Sequence, residues 1–339
     1  MSKSLNVLLF GGGIEGAQAL RDIFAAGHTV TGVVAGASED DGGERLAALA
    51  ADMELPWTTD PDRNPLAASM ADRPDVVLSV GYRRKIGMPF LGLGTMGAFN
   101  VAMSQLPRYR GCFPYRWAIL NGETAWGVTV HQMTPRYCDG AVLHRRGVAV
   151  MPRDTAYDLY RRCADAAARA AVAALGLLAG DAYALVSAEP AGAQSFPAGE
   201  PFGGEIDWRQ SGAKIDALVR ACDFGRDPAD RYMNLPRAAR AQFAGRTIGI
   251  HKANFGGTMS VYPAGTITRC DADAVWVQAG RGHVALDEVF VGGALARATE
   301  YFASIGASAG DAFDTTVAWD LNNPTGRTPA ATRELSHAA

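Results

Sequence analysis

The chain has 339 residues, of which 48% are hydrophobic and 20% are charged, which is the composition of an ordinary globular protein long enough for two domains. The net charge of −3 argues against a polyanion such as tRNA as the partner, and acidic side chains slightly outnumber basic ones between Asp181 and Glu300. We expect no secretory signal, and no apolar run reaches membrane-spanning length. The five cysteines and six histidines are scattered, so we expect a cytoplasmic protein without a metal site.

The first part of the chain alternates strands and helices, as an α/β fold does. The apolar patterns predict strands at 4–10, 29–34 and 75–80 and helices at 17–26 and 44–53. The residues between Gly11 and Gly16 match Gly-x-Gly-x-x-Gly, but no acidic residue stands at the tip of the second strand to hold a ribose. We therefore interpret this segment as a tight turn and not as a nicotinamide site.

Chemistry is expected in two later loops. Three successive cations, Arg83, Arg84 and Lys85, follow the third predicted strand and suit a carboxylate ligand. Asn100 ends an apolar run and is followed by Ser, Pro and Gly, which indicates a strand edge turning into a loop, where α/β enzymes place their reactive groups. Residues 128–133 alternate apolar and polar side chains and predict a half-buried strand.

The rest of the chain divides into a helix, a linker and a smaller domain. We expect a helix at 155–178 with Asp154 as its N-cap, and then a linker rich in Ala, Pro, Gly and Ser. A further helix is predicted at 213–221, with short strands of a small barrel at 247–253, 260–262, 266–269, 274–278 and 284–291. The predicted division is a domain at 1–180, a linker at 181–204, a barrel domain at 205–300 and a tail at 301–339, poorly ordered beyond Ser308.

The segment 99–143 carries a family pattern. It contains Asn-Val-Ala-Met-Ser-Gln-Leu-Pro-Arg-Tyr-Arg-Gly, then Trp-Ala-Ile, Gly-Glu, Gly-Val-Thr and Cys-Asp-Gly. In this order and at this spacing the pattern resembles the folate-dependent formyltransferases, which include methionyl-tRNA and sugar-nucleotide N-formyltransferases. The resemblance implies a Rossmann-like formyltransferase domain with a parallel-rich sheet, followed by a small OB-like β-barrel domain.

The resemblance also implies ligands and site residues. Its co-substrate would be 10-formyltetrahydrofolate or another reduced folate. The residues at positions that line the family's cofactor pocket are Tyr82, Arg84, Ile86 and Tyr137. The residues at positions of substrate contacts are Ser104, Arg110 and Arg220.

The chain departs from the family at its catalytic positions. The family uses an Asn, a His two residues later and an Asp two residues before a Gly. Here Asn100 is kept, Ala102 stands at the His position and Cys138 stands at the Asp position, with Asp139 one residue later. Asn100 can still donate a hydrogen bond to the oxyanion, whereas Ala102 cannot move a proton.

Three residues are candidates to replace the missing catalytic groups. Cys138 is either a small inert replacement or a nucleophile that forms a thioester, which requires a lowered thiol pKa. Asp139 is a candidate displaced carboxylate. His131 lies on the predicted strand that leads to Cys138, and strand packing is its favoured interpretation.

The leading hypothesis is an enzyme that transfers a formyl or related one-carbon group from a reduced folate to a nitrogen of a small molecule. A weakly basic acceptor such as a hydroxylamine or hydrazine would reduce the need for the missing base. The alternatives are acyl or carbamoyl transfer or a condensation in the same cleft, and a ligand-binding protein without catalysis. We expect a small-molecule partner, no nucleic acid and no membrane, and homodimer formation stays open.

Overall fold

The computed structural model describes residues 3–37, 42–60, 73–187, 193–196, 200–224, 238–257 and 261–319. The strands of the first sheet are β1 (Asn6–Gly11), β2 (Thr29–Ala35), β3 (Trp57–Thr58), β4 (Val76–Val80), β5 (Gly97–Ala102), β6 (Ala125–Gln132) and β7 (Val142–Ala149). The helices of this region are α1 (Gly13–Ala25), α2 (Gly43–Asp52), α3 (Met88–Leu91), α4 (Pro114–Asn121) and α5 (Ala156–Ala179).

The first sheet has the order β3-β2-β1-β4-β5-β6-β7. Strands β1 to β5 are parallel to their neighbours, β6 is antiparallel to β5, and β7 is antiparallel to β6. The central strands β1 and β4 are almost entirely buried because both faces of the sheet are covered there. Val7 and Leu9 of β1 point into the main core with α1 and α5, whereas Leu8 and Phe10 point into a smaller core on the other face.

The glycine turn between β1 and α1 has a packing explanation. A Cβ atom on Gly16 would lie 3.1 Å from the carbonyl oxygen of Val80, because α1 crosses close to the end of β4. The turn thus allows the helix to approach the sheet, in agreement with its interpretation as a tight turn.

The N-cap of α5 is Thr155 and not Asp154 as predicted. The Thr155 side chain accepts the N–H of Asp158, and the Asp158 carboxylate accepts the N–H of Thr155, which together form a capping box. Asp154 instead accepts the N–H of Met151 at 2.6 Å and pairs with Arg162.

The second sheet is antiparallel and six-stranded. Its elements are α6 (Gly212–Cys222), β8 (Ala239–Phe243), β9 (Arg246–Gly256), β10 (Ile267–Cys270), β11 (Val275–Gln278), β12 (His283–Val291), β13 (Ala294–Arg297) and α7 (Ala298–Ser304). The strand order is β10-β11-β12-β9-β8, with β13 beside β12. The predicted fold class is confirmed, since a parallel-rich α/β sheet precedes a small barrel-like domain. Of the strand predicted at 260–262, Val261 and Tyr262 are not in a strand, and Ser260 lies outside the described residues.

Part of the predicted linker packs against the first domain. Val186 pairs with Val142 through hydrogen bonds of 2.7 and 2.9 Å, which extends the sheet beyond β7. Residues 193–196, called the strap below, pair with Arg110. These residues of the predicted linker are anchored, because their aromatic and backbone partners lie in the first domain.

Part of the predicted tail is also packed. Phe313 is buried among Trp208, Phe243 and Phe302, and Trp319 stacks on Phe202 with ring centroids 4.4 Å apart. The prediction of poor order beyond Ser308 is wrong as far as Trp319, and residues 320–339 lie outside the described part. Within the described residues, no helix has both the length and the apolar character needed to cross a membrane.

Candidate active site

Asn100 lies in β5 directly opposite His131 of β6. The antiparallel register pairs the two residues, and the Asn100 Nδ2 atom lies 3.1 Å from His131 Nε2. Ala102 is two positions further along β5, so its methyl group projects from the same side of the strand as the Asn100 side chain. The structure thus brings together two of the predicted site residues, Asn100 and His131, beside Ala102.

The hydrogen bonds of His131 define the orientation of the Asn100 carboxamide. His131 Nδ1 lies 2.8 Å from the carbonyl oxygen of Gln132, which can only accept, so Nδ1 carries the proton. Nε2 then has a lone pair and accepts an N–H from Asn100. Burial lowers the pKa of His131, which keeps the ring neutral and this pattern intact. Within the described chain the Asn100 carboxamide has no other hydrogen bond, so its second N–H and its oxygen have no protein partner there.

Side chains of β6 hold the loop after β5 through hydrogen bonds to its backbone. Thr129, which is fully buried, donates its hydroxyl to the Ser104 carbonyl at 2.7 Å and accepts the Leu106 N–H at 3.3 Å. The Trp126 indole N–H donates to the Met103 carbonyl at 3.0 Å. The Gly-Val-Thr motif therefore braces the backbone that leaves Asn100, and the predicted substrate residue Ser104 is buried in this brace.

The end of the same loop is held by residues at the C-terminal end of α4 and just after it. The Tyr109 hydroxyl donates to Glu123 at 2.7 Å and accepts from Asn121 at 3.2 Å, and Arg108 pairs with the same Glu123 carboxylate. Burial is the main cause that raises the pKa of Tyr109 to about 12. The Asn-Gly-Glu motif thus fixes the Pro-Arg-Tyr-Arg-Gly motif, which lies close to it in the sequence, through side-chain hydrogen bonds and an ion pair.

Cys138 lies against this loop, on the turn between β6 and β7. Its backbone is left-handed, with φ of 54°, and its thiol accepts the backbone N–H of Gly111. Burial raises the pKa of the thiol more than the Gly111 hydrogen bond and the Arg110 charge lower it, so the group is protonated at neutral pH. This environment favours the inert interpretation of Cys138 over the nucleophilic one.

Asp139 is engaged by two arginines. Its carboxylate lies 3.2 Å from Arg110 Nη1 and 3.6 Å from Arg136 Nε. The carboxylate therefore pairs with Arg110 and Arg136 in the structure. Its role as a displaced catalytic carboxylate stays a prediction.

The predicted cofactor residues differ in their surroundings. Tyr82 and Ile86 pack against the smaller core, with the Tyr82 ring 5.3 Å from that of Phe10. Arg84 is exposed, with its Nη1 atom 3.4 Å from the Thr59 carbonyl oxygen, and Tyr137 is 58% exposed. Their contact with a folate stays a prediction.

The predicted substrate residue Arg220 lies between the two domains. Its Nε atom pairs with Asp216 at 3.0 Å, and its Nη1 atom donates to the Asp154 carbonyl at 2.9 Å. Arg153 reaches the same Asp216 carboxylate from the first domain at 2.8 Å. These bonds connect α6 to the start of α5, so a substrate contact of Arg220 stays a prediction beside a visible structural role.

Sequence reasoning missed several residues near the site. The Arg83 guanidinium lies over the Phe113 ring at 5.0 Å, which brings the basic loop to the Gly111 loop. Ser195 and Phe196 of the strap line a cavity of about 230 Å³ together with Arg110, Gly111, Arg136, Tyr137 and Asp139. No periodic pattern marks the strap. Its one local signal is Phe196, an isolated aromatic residue in a segment of small residues.

Two family descriptions match the chain. Residues 58–175 match the formyl transferase family, and residues 201–306 match the formyl transferase C-terminal domain. The first match spans β4 to β7 and most of α5, and the second spans most of the second domain.

Several solved structures are similar over most of the chain. One is WlaRD, a sugar 3N-formyltransferase in the presence of dTDP and 5-N-formyl-THF, with a TM-score of 0.62 and 16% identity over 84% of this chain and 97% of that one. Another is the N-formyltransferase from Helicobacter canadensis with folinic acid and dTDP-3-aminofucose, with a TM-score of 0.63 and 15% identity over 84% and 99%.

A third similar structure belongs to a longer protein. HypX from Aquifex aeolicus in complex with tetrahydrofolic acid has a TM-score of 0.59 and 16% identity over 88% of this chain and 47% of that one. At such identities the structures establish the fold, and the two sequence matches establish the kinship. The chain belongs to the folate-dependent formyltransferase family.

Proposed function

We propose that this protein transfers a formyl or related one-carbon group from a reduced folate to a nitrogen of a small molecule. The observation that carries the proposal is the Asn100 carboxamide, which His131 holds by one N–H at 3.1 Å while the second N–H is unused within the described chain. The reduced folates in the similar structures support the choice of donor.

The chemistry needs a hydrogen-bond donor at the formyl oxygen. The acceptor nitrogen attacks the formyl carbon, a new N–C bond forms, and the oxygen becomes an oxyanion. When the oxyanion collapses, the bond between the carbon and the folate nitrogen breaks, that nitrogen takes up a proton, and the acceptor nitrogen loses one. The free N–H of Asn100 stabilises the oxyanion, a role that typically changes the rate by about 10²–10³-fold.

The lack of a base at the Ala102 position restricts the acceptor. Ala102 has no proton to exchange, and the Cys138 thiol is protonated at neutral pH because burial raises its pKa. An acceptor that is already neutral at the working pH does not need deprotonation before it attacks. We therefore propose a weakly basic nitrogen, such as that of a hydroxylamine or a hydrazine, as the acceptor.

The two alternatives have less support. Acyl transfer through Cys138 needs a thiolate, which the raised thiol pKa opposes. A binding protein without catalysis predicts folate binding with no turnover for any acceptor.

Binding and transfer are tested separately. Folinic acid binding is followed by tryptophan fluorescence, and release of tetrahydrofolate from 10-formyltetrahydrofolate is measured with hydroxylamine, hydrazine and glycine as acceptors. We expect folinic acid to bind, and turnover to be faster with hydroxylamine and hydrazine than with glycine. Asn100→Ala should reduce turnover by about a hundredfold or more. Asn254→Ala, a change of an amide that binds Asp287 in the second domain, is the matched control. A folded protein that does not bind folinic acid at millimolar concentration refutes the proposal.

A further inference from the structure

The strap is held to the loop after β5 by backbone and aromatic contacts. The Arg110 N–H donates to the Gln194 carbonyl at 2.7 Å, and the Phe196 N–H donates to the Arg110 carbonyl at 2.8 Å. The Phe196 ring stacks on Tyr109, with centroids 4.7 Å apart, and on Trp117 at 4.9 Å. The strap therefore packs in a defined position beside Arg110.

Gly111 of the family motif leaves space for the strap. A Cβ atom on Gly111 would lie 2.2 Å from the Phe196 carbonyl oxygen, and its φ of 123° disfavours any other residue. The thiol of Cys138, which stands at the family's aspartate position, accepts the N–H of the same glycine. The strap, the motif loop and the Cys138 turn thus meet at one point.

The cavity between these segments carries a positive charge. Its charged lining residues are Arg110, Arg136 and Asp139. One carboxylate pairs with two guanidinium groups, which leaves one positive charge without a counter-charge in the lining. The Arg110 Nε atom is buried and has no hydrogen-bond partner within the described chain. Ser195 and Tyr137 add hydroxyl groups to the lining. Guanidinium groups recognise carboxylates and phosphates through paired hydrogen bonds, and this lining has the capacity for one more anion.

The size of the cavity restricts what it holds. Pockets that enclose a whole drug-sized ligand measure about 300–1,000 Å³. A cavity of about 230 Å³ therefore fits one group of a ligand and not a complete folate.

We infer that the strap cavity binds the anionic group, a phosphate or a carboxylate, of the acceptor molecule, with Arg110 and Arg136 as counter-ions and Ser195 as a hydroxyl donor. The acceptor role rests on the transfer reaction proposed above. The acceptor is then a small molecule that carries both a weakly basic nitrogen and an anion, and the strap takes part in selecting it.

The test titrates the full-length protein with inorganic pyrophosphate and, separately, with succinate, by isothermal titration calorimetry at low salt. We expect at least one of them to bind, and the tighter one identifies the group. Arg136→Gln should weaken binding by about tenfold, the loss of one charge-assisted hydrogen bond. Arg169→Gln, which removes an exposed arginine that pairs with Asp165 on α5, should leave binding unchanged.

Asp139→Asn gives a readout that a purely structural role would not produce. It removes the carboxylate that competes for both guanidinium groups, so the anion should bind several-fold more tightly. Gly111→Ala should displace the strap and abolish binding, with circular dichroism to verify folding. Ser195→Ala, an exposed change that folding tolerates, should weaken binding by a few-fold.

Several results would overturn the inference: no binding of either anion, equal binding by Arg136→Gln and Arg169→Gln, or weaker binding by Asp139→Asn. Displacement of the bound anion by folinic acid would assign the cavity to the folate's own carboxylates and also overturn it. The same samples are titrated with folinic acid alone. Anion binding without folate binding refutes the transfer reaction and leaves the anion site, whereas folate binding without anion binding refutes the anion site only.

Discussion

Replacement of Thr129 by Val tests whether the Gly-Val-Thr motif braces the loop after β5. The side chain is fully buried, and valine has nearly the same shape but no hydroxyl. The change leaves the Ser104 carbonyl and the Leu106 N–H without their partner, where the first bond measures 2.7 Å and the second 3.3 Å. A buried polar group that loses its partner costs about 1–3 kcal/mol, and the longer bond belongs at the lower end. We therefore expect Thr129→Val to lower the free energy of unfolding by about 2–4 kcal/mol.

Urea denaturation followed by tryptophan fluorescence measures this loss, because Trp126 lies next to the brace. Thr129→Ser is the matched control, since it keeps the hydroxyl and removes one methyl group, at a cost of about 1 kcal/mol. Loss of folinic acid affinity in the Val variant but not in the Ser variant would connect the brace to the site. A Val variant as stable as the Ser variant would refute the reasoning, because the hydroxyl would then contribute nothing.

Three further predictions concern other parts of the molecule. Burial lowers the pKa of His131 below its ordinary value of 6.5, so the unfolded chain takes up a proton more readily and stability should fall as the pH drops below 6.5. His131→Gln should show a smaller fall between pH 7.5 and 5.5 in urea denaturation, and an equal fall would contradict the assignment. Cys138 should react with iodoacetamide more slowly than free cysteine at pH 7.5, because burial raises its pKa, and fast alkylation would revive the nucleophilic interpretation. Phe313→Ala should destabilise the second domain by about 3–5 kcal/mol in thermal unfolding, and a neutral change would show that residues beyond α7 contribute no packing.

The parts of the fold that sequence reasoning predicted well are those with local causes. The strand that ends near Asn100 follows from one apolar run, and the glycine turn after β1 follows from its glycines. The predicted N-cap of α5 is one residue too early, although the pair Thr155 and Asp158 has the spacing of a capping box. Here the local signal existed, and the neighbouring Asp154 competed with it.

The missed parts depend on contacts between distant residues. Phe196 is anchored by Tyr109 and Trp117, and Trp319 by Phe202, and no periodicity in the strap or the tail announces such partners. A segment of small residues with one aromatic looks like a linker until the surface that receives the aromatic is known. The nature of Cys138 is similar, because its thiol pKa depends on burial that the sequence does not express.

The family pattern combines two kinds of residues, and the structure separates them. Thr129, Tyr109, Asn121 and Glu123 hold the loop after β5 through hydrogen bonds, so their presence is required for the loop whatever reaction takes place beside it. The positions that would exchange protons in the family are the ones that differ in this chain. A motif match of this kind therefore reports the scaffold more strongly than the chemistry. The proposed transfer depends on Asn100, whose carboxamide is oriented by His131, because the resemblance makes it the one catalytic position whose residue this chain keeps.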